Sequence, residues 1–309
     1  MDVLYEVREH IAVITLNRPE ALNTFTDQME AGLIQCFDRS DADDDVHVVV
    51  ITGSGRAFCA GMELAPTESG RGTFEAWRTS PTAPPGTKDD VPGEALPLRR
   101  DGGGRLALRI FESTKPVIAA INGDAIGVGI TMTLPCDIRV MADSARIAFP
   151  FTRRGFVPES CSTWFLPRIV PFPRAMEWML TSRRIQALEA HEAGLVMSLH
   201  PADQVLTQAM SIAHDIATSV APVSTSLTRQ MLWRMLTADH PMSAHRIETR
   251  ALNDRGISAD ALEGVEAFLG KRDPLFTDAT SGNPDYFADL PRPTYAPLEA
   301  GHAPVTHPR

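Results

Sequence analysis

The sequence predicts an α/β fold, and three observations support this prediction. Three apolar runs rich in β-branched residues, at 46–52, 117–121 and 138–141, have the character of strands buried on both faces. Segments of helical or irregular pattern separate them, as in proteins built from strand–helix repeats. The chain of 309 residues can also bury a sizeable core without disulfides or structural metal ions.

Two short strands and a helix are predicted before the first buried strand. The runs 3–7 and 11–16 are rich in β-branched residues and are separated by three polar residues, which favours a hairpin. The helix that follows is expected to begin after Thr26, whose hydroxyl suits an N-cap. Its apolar residues recur every four positions: Met29, Leu33 and Phe37.

The segment 65–105, between the first two buried strands, is predicted to be a long surface loop. It contains six prolines and seven glycines and has no sustained apolar period. A short helix is expected only around 74–77. Long loops in compact proteins are usually either functional or disordered.

The pattern becomes helical after about residue 175, and the chain ends in a proline-rich tail. One apolar stripe comprises Val205, Ala209, Ile212 and Ile216, and another comprises Leu262, Val265, Phe268 and Leu269. The tail has seven prolines in 37 residues and is expected to be extended, and either partly disordered or draped over a neighbouring subunit. We therefore expect three parts: an α/β core at 1–200, a helical segment at 201–272 and a tail at 273–309.

Composition excludes several classes of protein. The net charge of -10 argues against a general nucleic-acid or anionic-membrane binder. Neither the four cysteines nor the nine histidines show metal-ligand spacing, so no metal site is predicted. The longest apolar stretch, 116–135, contains polar residues and glycines and is bounded by prolines, which disfavours a membrane span. With no signal peptide visible at the N-terminus, the expected location is the cytoplasm.

The first segment with possible chemistry, 56–64, follows the first buried strand. Its small residues Ala60 and Gly61 would let the backbone approach a ligand closely. A turn there can direct backbone N–H groups into a cleft at the carboxyl end of the strand. The same residues are equally compatible with a simple tight turn.

The second such segment, 121–129, follows the next buried strand and opens an apolar helix. Free N–H groups at its Gly127-Val128-Gly129 run suit an oxyanion. The alternative is a glycine-rich junction packed closely against the sheet. Neither segment completes a dinucleotide fingerprint, and the chain has no P-loop pattern.

Together, five ordered motifs resemble the crotonase superfamily, which includes the enoyl-CoA hydratases and isomerases. The motifs are LNRPEALN at 16–23, AFCAGMEL at 57–64, KPVIAAING at 115–123 with GVG at 127–129, CDIR at 136–139, and AFLGKR at 267–272. The resemblance runs from about residue 3 to about residue 276, with a longer loop at 65–105 than is usual in that family.

The resemblance implies a crotonase-like spiral of ββα repeats with a helical C-terminal trimerisation segment, and a homotrimer or hexamer. It implies that the N–H groups of Met62 and Val128 bind the thioester oxygen of an acyl-CoA substrate. It also implies a set of residues around that substrate: Arg18, Ala60, Gly61, Gly127, Phe268 and Lys271. CoA is then part of the substrate, and no separate cofactor is expected.

The sequence departs from the hydratase pattern at the acid and base positions. The type hydratase uses two glutamates, and the corresponding positions here are Thr131 and Phe151. The stretch 153–162 instead resembles the peroxisomal type of Δ3-Δ2-enoyl-CoA isomerase, which implies that Glu159 is the catalytic base. One carboxylate suffices for isomerisation, because it can remove a proton at C2 and return it at C4.

Other interpretations remain open at this point. Glu159 could occupy the first turn of a helix after Pro158 and stabilise only its dipole. Glu63 and Asp124, beside the expected oxyanion segments, are reserve candidates for the base. A hydratase with non-standard acid and base residues is the main alternative activity. A CoA-thioester hydrolase or a non-catalytic acyl-CoA-binding protein is also compatible with the motifs.

Overall fold

The computed structural model describes residues 1–64, 100–281 and 284–290. The predicted loop at 65–99, with its short helix, and the end of the tail at 291–309 lie outside the described residues. The chain divides into two compact units. The larger one comprises Met1–Met62 and Gly102–Tyr286, and all the elements below belong to it.

A six-stranded sheet forms the centre of the larger unit. Its strands are β1 (Val3–Arg8), β2 (Ile11–Leu16), β3 (Val48–Gly53), β5 (Val117–Ile121), β7 (Ile138–Ala142) and β10 (Ser198–His200). They lie in the order β1-β2-β3-β5-β7-β10, and only β1 and β2 pair antiparallel. Every residue of β5 is buried, as expected for a strand covered on both faces. The predicted α/β fold is confirmed.

A second, four-stranded sheet positions the glycine-rich segments. Its strands are β4 (Ala57–Cys59), β6 (Asp124–Ile126), β8 (Arg146–Ala148) and β9 (Arg184–Gln186), in the order β4-β6-β8-β9. The first three strands are parallel, so the loops that follow them emerge at one edge. Each of β3, β5 and β7 is followed by one of these short strands, which gives the ββα repeat of the crotonase fold. These short strands were not predicted, and the prediction that the glycine segments directly follow the strands of the large sheet is wrong.

The described residues contain ten α-helices: α1 (Asp27–Ala42), α2 (Gly102–Phe111), α3 (Val128–Thr131), α4 (Ser162–Ile169), α5 (Phe172–Thr181), α6 (Ala187–Glu192), α7 (Val205–Ser219), α8 (Pro222–Met235), α9 (Met242–Gly256) and α10 (Ala259–Gly270). The predicted N-cap of α1 is confirmed, because the Thr26 hydroxyl accepts a 3.0 Å bond from the Met29 N–H. In this part of the chain, no helix is long and apolar enough to cross a membrane.

Helix α2 corrects the predicted loop at 65–105, because the chain is already helical from Gly102. Three consecutive glycines disfavour a helix by propensity. Packing against α1 overrides that preference: Arg105 donates two bonds, of 2.7 and 2.8 Å, to the carboxylate of Glu30, whose side chain is fully buried. A Cβ at Gly102 would lie 2.4 Å from that carboxylate, so the glycine allows the close approach.

Helices α7 and α8 pack on the α/β core. Helix α7 contacts β3, β5 and β7. From α8, the buried Arg229 donates to the carboxylate of Asp137 at 2.7 Å and to the carbonyl of Ile110 at 2.9 Å. The indole N–H of Trp233 donates to the other oxygen of Asp137, also at 2.7 Å. Asp137, which directly precedes β7, therefore links the core to α8 through hydrogen bonds.

The chain beyond α10 returns to the core at residues 277–281. The ammonium of the buried Lys115 donates to the hydroxyl of Thr280, which in turn donates to Asp44 at 3.0 Å. The N–H of Ser281 donates to the same carboxylate at 2.8 Å. Burial lowers the pKa of Lys115, while the nearby carboxylates oppose that shift. Thr280 and Ser281, which fall within the predicted tail, are therefore bonded to their own chain.

Candidate active site

The loop after β4 carries the first glycine segment. The N–H of Ala60 donates to the carbonyl of Leu22 at 3.0 Å, and the N–H of Phe25 donates to the carbonyl of Gly61 at 2.8 Å. Gly61 has a φ of 105°, which disfavours any other residue. These two hydrogen bonds fix the loop to the turn that follows β2. Met62 is the residue directly after Gly61.

The loop after β6 carries the second glycine segment and opens α3. The N–H of Gly127 donates to the carbonyl of Ala148 at 2.9 Å. The carbonyl of Gly127 accepts bonds from the N–H groups of Ile130 and Thr131, at 3.1 and 3.0 Å. Gly127 has a φ of 57°, so the chain reverses there before Val128.

The two glycine segments lie in direct contact. A Cβ at Gly129 would lie 2.2 Å from the carbonyl oxygen of Cys59, and a Cβ at Gly61 would lie 3.0 Å from that of Ile126. A side chain at Gly129 could not be accommodated, because the nearest atoms belong to backbone. These glycines therefore bring the segments of Met62 and Val128 side by side.

Two backbone N–H groups on these segments have no acceptor among the described residues. Within the described residues, the N–H of Met62 donates no hydrogen bond. Val128 is the first residue of α3, so its N–H has no acceptor within the helix. Two donors on adjoining segments can bind one oxygen atom between them, as an oxyanion hole requires.

Glu159 lies beside α3, where two hydroxyls donate to its carboxylate. The fully buried Thr131 donates to one oxygen at 2.5 Å, and Ser160 donates to the other. Thr131 follows Val128 by three residues, which is roughly 4.5 Å along a helix axis. The structure therefore places the carboxylate near the second glycine segment, although 28 residues separate Glu159 from Thr131 in sequence.

The backbone after Glu159 has an unusual conformation. Ser160 and Cys161 have φ values of 55° and 52°, in the left-handed region that costs roughly 1–2 kcal/mol per residue. Helix α4 begins only at Ser162, whose hydroxyl donates to the carbonyl of Glu159 at 2.6 Å. Glu159 thus precedes the helix, and the interpretation that it lies in a first helical turn is wrong. Strained backbone of this kind is concentrated at functional sites.

Gly103 in α2 lies against Glu159 and was not among the predicted site residues. A Cβ at this position would lie 1.8 Å from a carboxylate oxygen of Glu159 and 2.3 Å from the hydroxyl of Ser160. The position therefore has no room for a side chain while the carboxylate keeps its place. The glycine triplet at the start of α2 was the available signal, but it indicated a loop.

Cys59 is close enough to Glu159 to be influenced by its charge. Burial raises the pKa of the Cys59 thiol to about 12, and Glu159 adds to that shift, while a bond from the Gly61 N–H opposes it. The thiol therefore stays protonated at neutral pH. A cysteine nucleophile, as some thioester hydrolases would need, is disfavoured at this position.

The other candidate acid and base positions lie in different surroundings. Asp124 accepts bonds from the backbone N–H and the guanidinium of Arg146, at 2.8 and 2.9 Å. Phe151 is buried in the core. Glu63 belongs to the smaller unit. Among the described residues, no group of three acidic, histidine or cysteine side chains could hold a metal ion.

The residues expected to contact CoA fall into two places. Arg18 donates to the carbonyl of Thr24 at 2.8 Å. Both residues belong to the turn to which Ala60 and Gly61 are hydrogen-bonded. Phe268 and Lys271 lie at the end of α10, where 82% of Phe268 is exposed.

Comparison with known proteins agrees with the fold, which defines an acyl-CoA enzyme of the crotonase type. A family model described as enoyl-CoA hydratase/isomerase matches residues 6–80 and 99–279. The chain belongs to the enoyl-CoA hydratase/isomerase family.

The similar proteins carry both hydratase and isomerase names. Enoyl-CoA hydratase ACTT3 of Alternaria alternata is 41% identical over 273 residues, covering 87% of this chain and 83% of that protein. The 1,2-epoxyphenylacetyl-CoA isomerase of Escherichia coli is 34% identical, covering 89% of this chain and 98% of that protein. The structure of a probable enoyl-CoA hydratase/isomerase from Mycobacterium abscessus is 36% identical, has a TM-score of 0.74 and covers 89% of this chain and 98% of that one.

Proposed function

We propose that this enzyme is a Δ3-Δ2-enoyl-CoA isomerase with Glu159 as its single base. The observation that carries the proposal is the position of the Glu159 carboxylate. The Thr131 hydroxyl donates to this carboxylate at 2.5 Å. Thr131 lies about one helical turn after Val128, whose N–H is an expected oxyanion donor. A base and an oxyanion donor at this separation suit an acyl thioester whose carbonyl and neighbouring carbons lie between them.

In this proposal, Glu159 moves one proton between two carbons. Its carboxylate removes a proton from C2 of a 3-enoyl-CoA, and the C2–H electron pair forms an enolate with its negative charge on the thioester oxygen. The protonated Glu159 then delivers that proton to C4, while the C3–C4 double bond moves to C2–C3. The base ends ionised, and no water or redox partner is consumed.

The enolate is stabilised in this proposal by the N–H groups of Met62 and Val128. Both belong to segments that adjoin through Gly61 and Gly129, and neither donates a hydrogen bond within the described residues. Losing one such donor typically costs about 3 kcal/mol of transition-state stabilisation. Gly61 and Gly127 allow the thioester to approach the backbone, while Arg18, the Ala60 backbone, Phe268 and Lys271 hold CoA.

The acid and base positions favour isomerisation over hydration. The type hydratase has two glutamates where this chain has Thr131 and Phe151, and neither side chain can act as a base. The motif at 153–162 also resembles that of peroxisomal-type isomerases. Hydration by non-standard acid and base residues is the second candidate, because most of the similar proteins are named hydratases.

A panel of CoA esters tests the proposal. We expect the purified enzyme to convert 3-enoyl-CoA into 2-enoyl-CoA, and to hydrate 2-enoyl-CoA much more slowly, since Thr131 and Phe151 stand where the type hydratase has its two glutamates. Absorbance of the conjugated thioester and chromatography of the products report the two reactions. Hydration of 2-enoyl-CoA without any isomerisation of 3-enoyl-CoA would establish the second candidate instead. Binding of both esters without turnover would identify an acyl-CoA-binding protein.

We further propose that the enzyme is a trimer or hexamer in the cytoplasm. Large apolar side chains on and just before α10 are more than half exposed: Ile257, Leu262, Val265, Phe268 and Leu269. An apolar surface of this extent usually contacts another protein. The chain has four cysteines and no CxxC pair, which suits a reducing compartment.

The assembly proposal predicts a trimer or hexamer in sedimentation at micromolar concentration. Replacing Leu269 and Val265 by lysine should shift the population towards monomer, because it places charges in the apolar surface. The double variant Thr249→Lys and Asn253→Lys on α9 adds the same two positive charges at exposed polar positions and serves as a control. A stable monomer for the unaltered chain would contradict the proposal.

A further inference from the structure

Thr131 has two acceptors for one hydroxyl proton. Its oxygen lies 2.5 Å from a carboxylate oxygen of Glu159 and 3.2 Å from the carbonyl oxygen of Gly127. A threonine hydroxyl carries a single hydrogen and can donate to only one of them at full strength. The shorter distance indicates that the proton points to Glu159 in this structure, as expected when the carboxylate is ionised.

The second acceptor belongs to the peptide unit that carries an expected oxyanion donor. The carbonyl of Gly127 and the N–H of Val128 share one peptide bond. A hydrogen bond to the carbonyl polarises that bond and makes its N–H a stronger donor, because neighbouring hydrogen bonds reinforce one another. The acceptor to which the Thr131 hydroxyl donates therefore affects the donor strength of the Val128 N–H, which is expected to bind the thioester oxygen.

We propose that Thr131 is a positioning residue whose hydroxyl turns from Glu159 to the carbonyl of Gly127 when Glu159 takes up the substrate proton, and so strengthens the Val128 N–H while the enolate exists. This inference rests on the proposed function, in which Glu159 is the base. It gives Thr131, which stands where the hydratase has a glutamate, a role in isomerisation.

The sequence of events follows from the strengths of the two hydrogen bonds. While Glu159 is ionised, Thr131 donates to it, since a bond to a charged acceptor is roughly twice as strong as a neutral one. When Glu159 holds the proton on its substrate side, its charge is lost and the Gly127 carbonyl becomes the better acceptor. Delivery of the proton to C4 restores the charge, and the hydroxyl turns back. Thr131 itself neither gains nor loses a proton.

A purely structural role for Thr131 makes different predictions, and Thr133 provides the comparison. Hydroxyls near helices commonly bond to a carbonyl three or four residues earlier. The buried Thr133 does so, donating to the carbonyl of Ile130 at 2.8 Å, and its side chain makes no bond to Glu159 within the described residues. Thr133→Val therefore removes an equivalent buried hydroxyl without touching the base.

The first test is the pH dependence of isomerisation in Thr131→Val, Thr131→Ser and Thr133→Val. Thr131→Val should lower kcat roughly 10-fold or more, the scale of one hydrogen bond to a charged group, with KM changed less than about twofold. The acidic limb of its pH profile should move up by about one pH unit, because the ionised base loses a donor. Thr131→Ser should restore both properties, and Thr133→Val should leave both unchanged.

The second test measures the polarisation of the thioester carbonyl by absorption. The absorption of a bound 2,4-dienoyl-CoA moves to longer wavelength as its carbonyl is polarised. In the wild type and in Thr131→Ser, this absorption should shift further to longer wavelength at pH values below the acidic limb, where Thr131 donates to Gly127. In Thr131→Val this pH-dependent shift should be much smaller, because only the charge of Glu159 then changes with pH.

The possible outcomes separate this inference from the proposed function. If Glu159→Gln abolishes isomerisation while Thr131→Val matches Thr133→Val in kcat and pH profile, the inference is wrong and the base assignment stands. An unchanged pH response of the bound dienoyl-CoA in Thr131→Val would overturn the link to Val128. If Glu159→Gln isomerises normally, the assignment fails and the inference fails with it. Thermal unfolding shows whether each variant is folded.

Discussion

Glu159→Gln should abolish isomerisation of 3-enoyl-CoA while leaving binding of CoA esters nearly intact. The rate should fall on the order of 10²-fold or more, the usual scale for a positioned general base. Binding should persist because it is assigned to other residues, among them Arg18 and Lys271. Stopped-flow rates of double-bond migration and calorimetric binding of a non-reactive acyl-CoA measure the two quantities separately.

The structure explains why glutamine should fit at this position. The carboxylate accepts bonds from the hydroxyls of Thr131 and Ser160, one on each oxygen. A glutamine oxygen can keep one of these donors, and its amino group can donate to the other hydroxyl, because hydroxyl protons rotate. Thr131 retains the Gly127 carbonyl as its alternative acceptor. Loss of activity would therefore report lost basicity rather than a disrupted site.

Asp124→Asn is the matched control for this substitution. Asp124 is the reserve candidate in the larger unit, but its carboxylate is engaged by Arg146 across the short sheet. The surface ion pair contributes little stability, roughly 0–1 kcal/mol, so the variant should fold and isomerise at close to the normal rate. Activity that survives in Glu159→Gln and disappears in Asp124→Asn would reverse the assignment.

The sequence predicted those parts of the molecule whose signals lie within a short stretch of chain. The buried strands were recognisable from continuous apolar runs, and the cap of α1 from one threonine before an apolar stripe. The strands of the second sheet were missed because three residues are too few to show a period. Because these strands were not predicted, the glycine segments were expected to follow the strands of the large sheet directly.

The contacts around Glu159 could not be predicted, because they join distant parts of the chain. Thr131 was recognised only as a missing glutamate, and its bond to Glu159 crosses 28 positions. The role of Gly103 was hidden for a different reason. A glycine triplet has low helix propensity, whereas the Glu30–Arg105 ion pair and packing against α1 hold those glycines in a helix.

Gly103→Ala should disable the enzyme without unfolding it. The new Cβ would overlap an oxygen of Glu159, at 1.8 Å, and the hydroxyl of Ser160, at 2.3 Å. Both atoms end side chains that can rotate, so they would move aside rather than displace the backbone of α2. A displacement of about 1 Å in a catalytic group can cost on the order of 10²-fold in rate. We expect kcat to fall by that factor.

Gly264→Ala makes the same chemical change in α10, far along the chain from the base. A Cβ there would meet only the ring of Phe276, at an ordinary contact distance of 3.6 Å. The alanine should raise helix stability by roughly 0.5–1 kcal/mol and leave kcat unchanged. Gly103→Ala should combine an unfolding temperature close to that of the wild type with the loss of kcat. Wild-type turnover in Gly103→Ala would show that the Glu159 carboxylate need not occupy this position, and a large fall in its unfolding temperature would show that the backbone had moved instead.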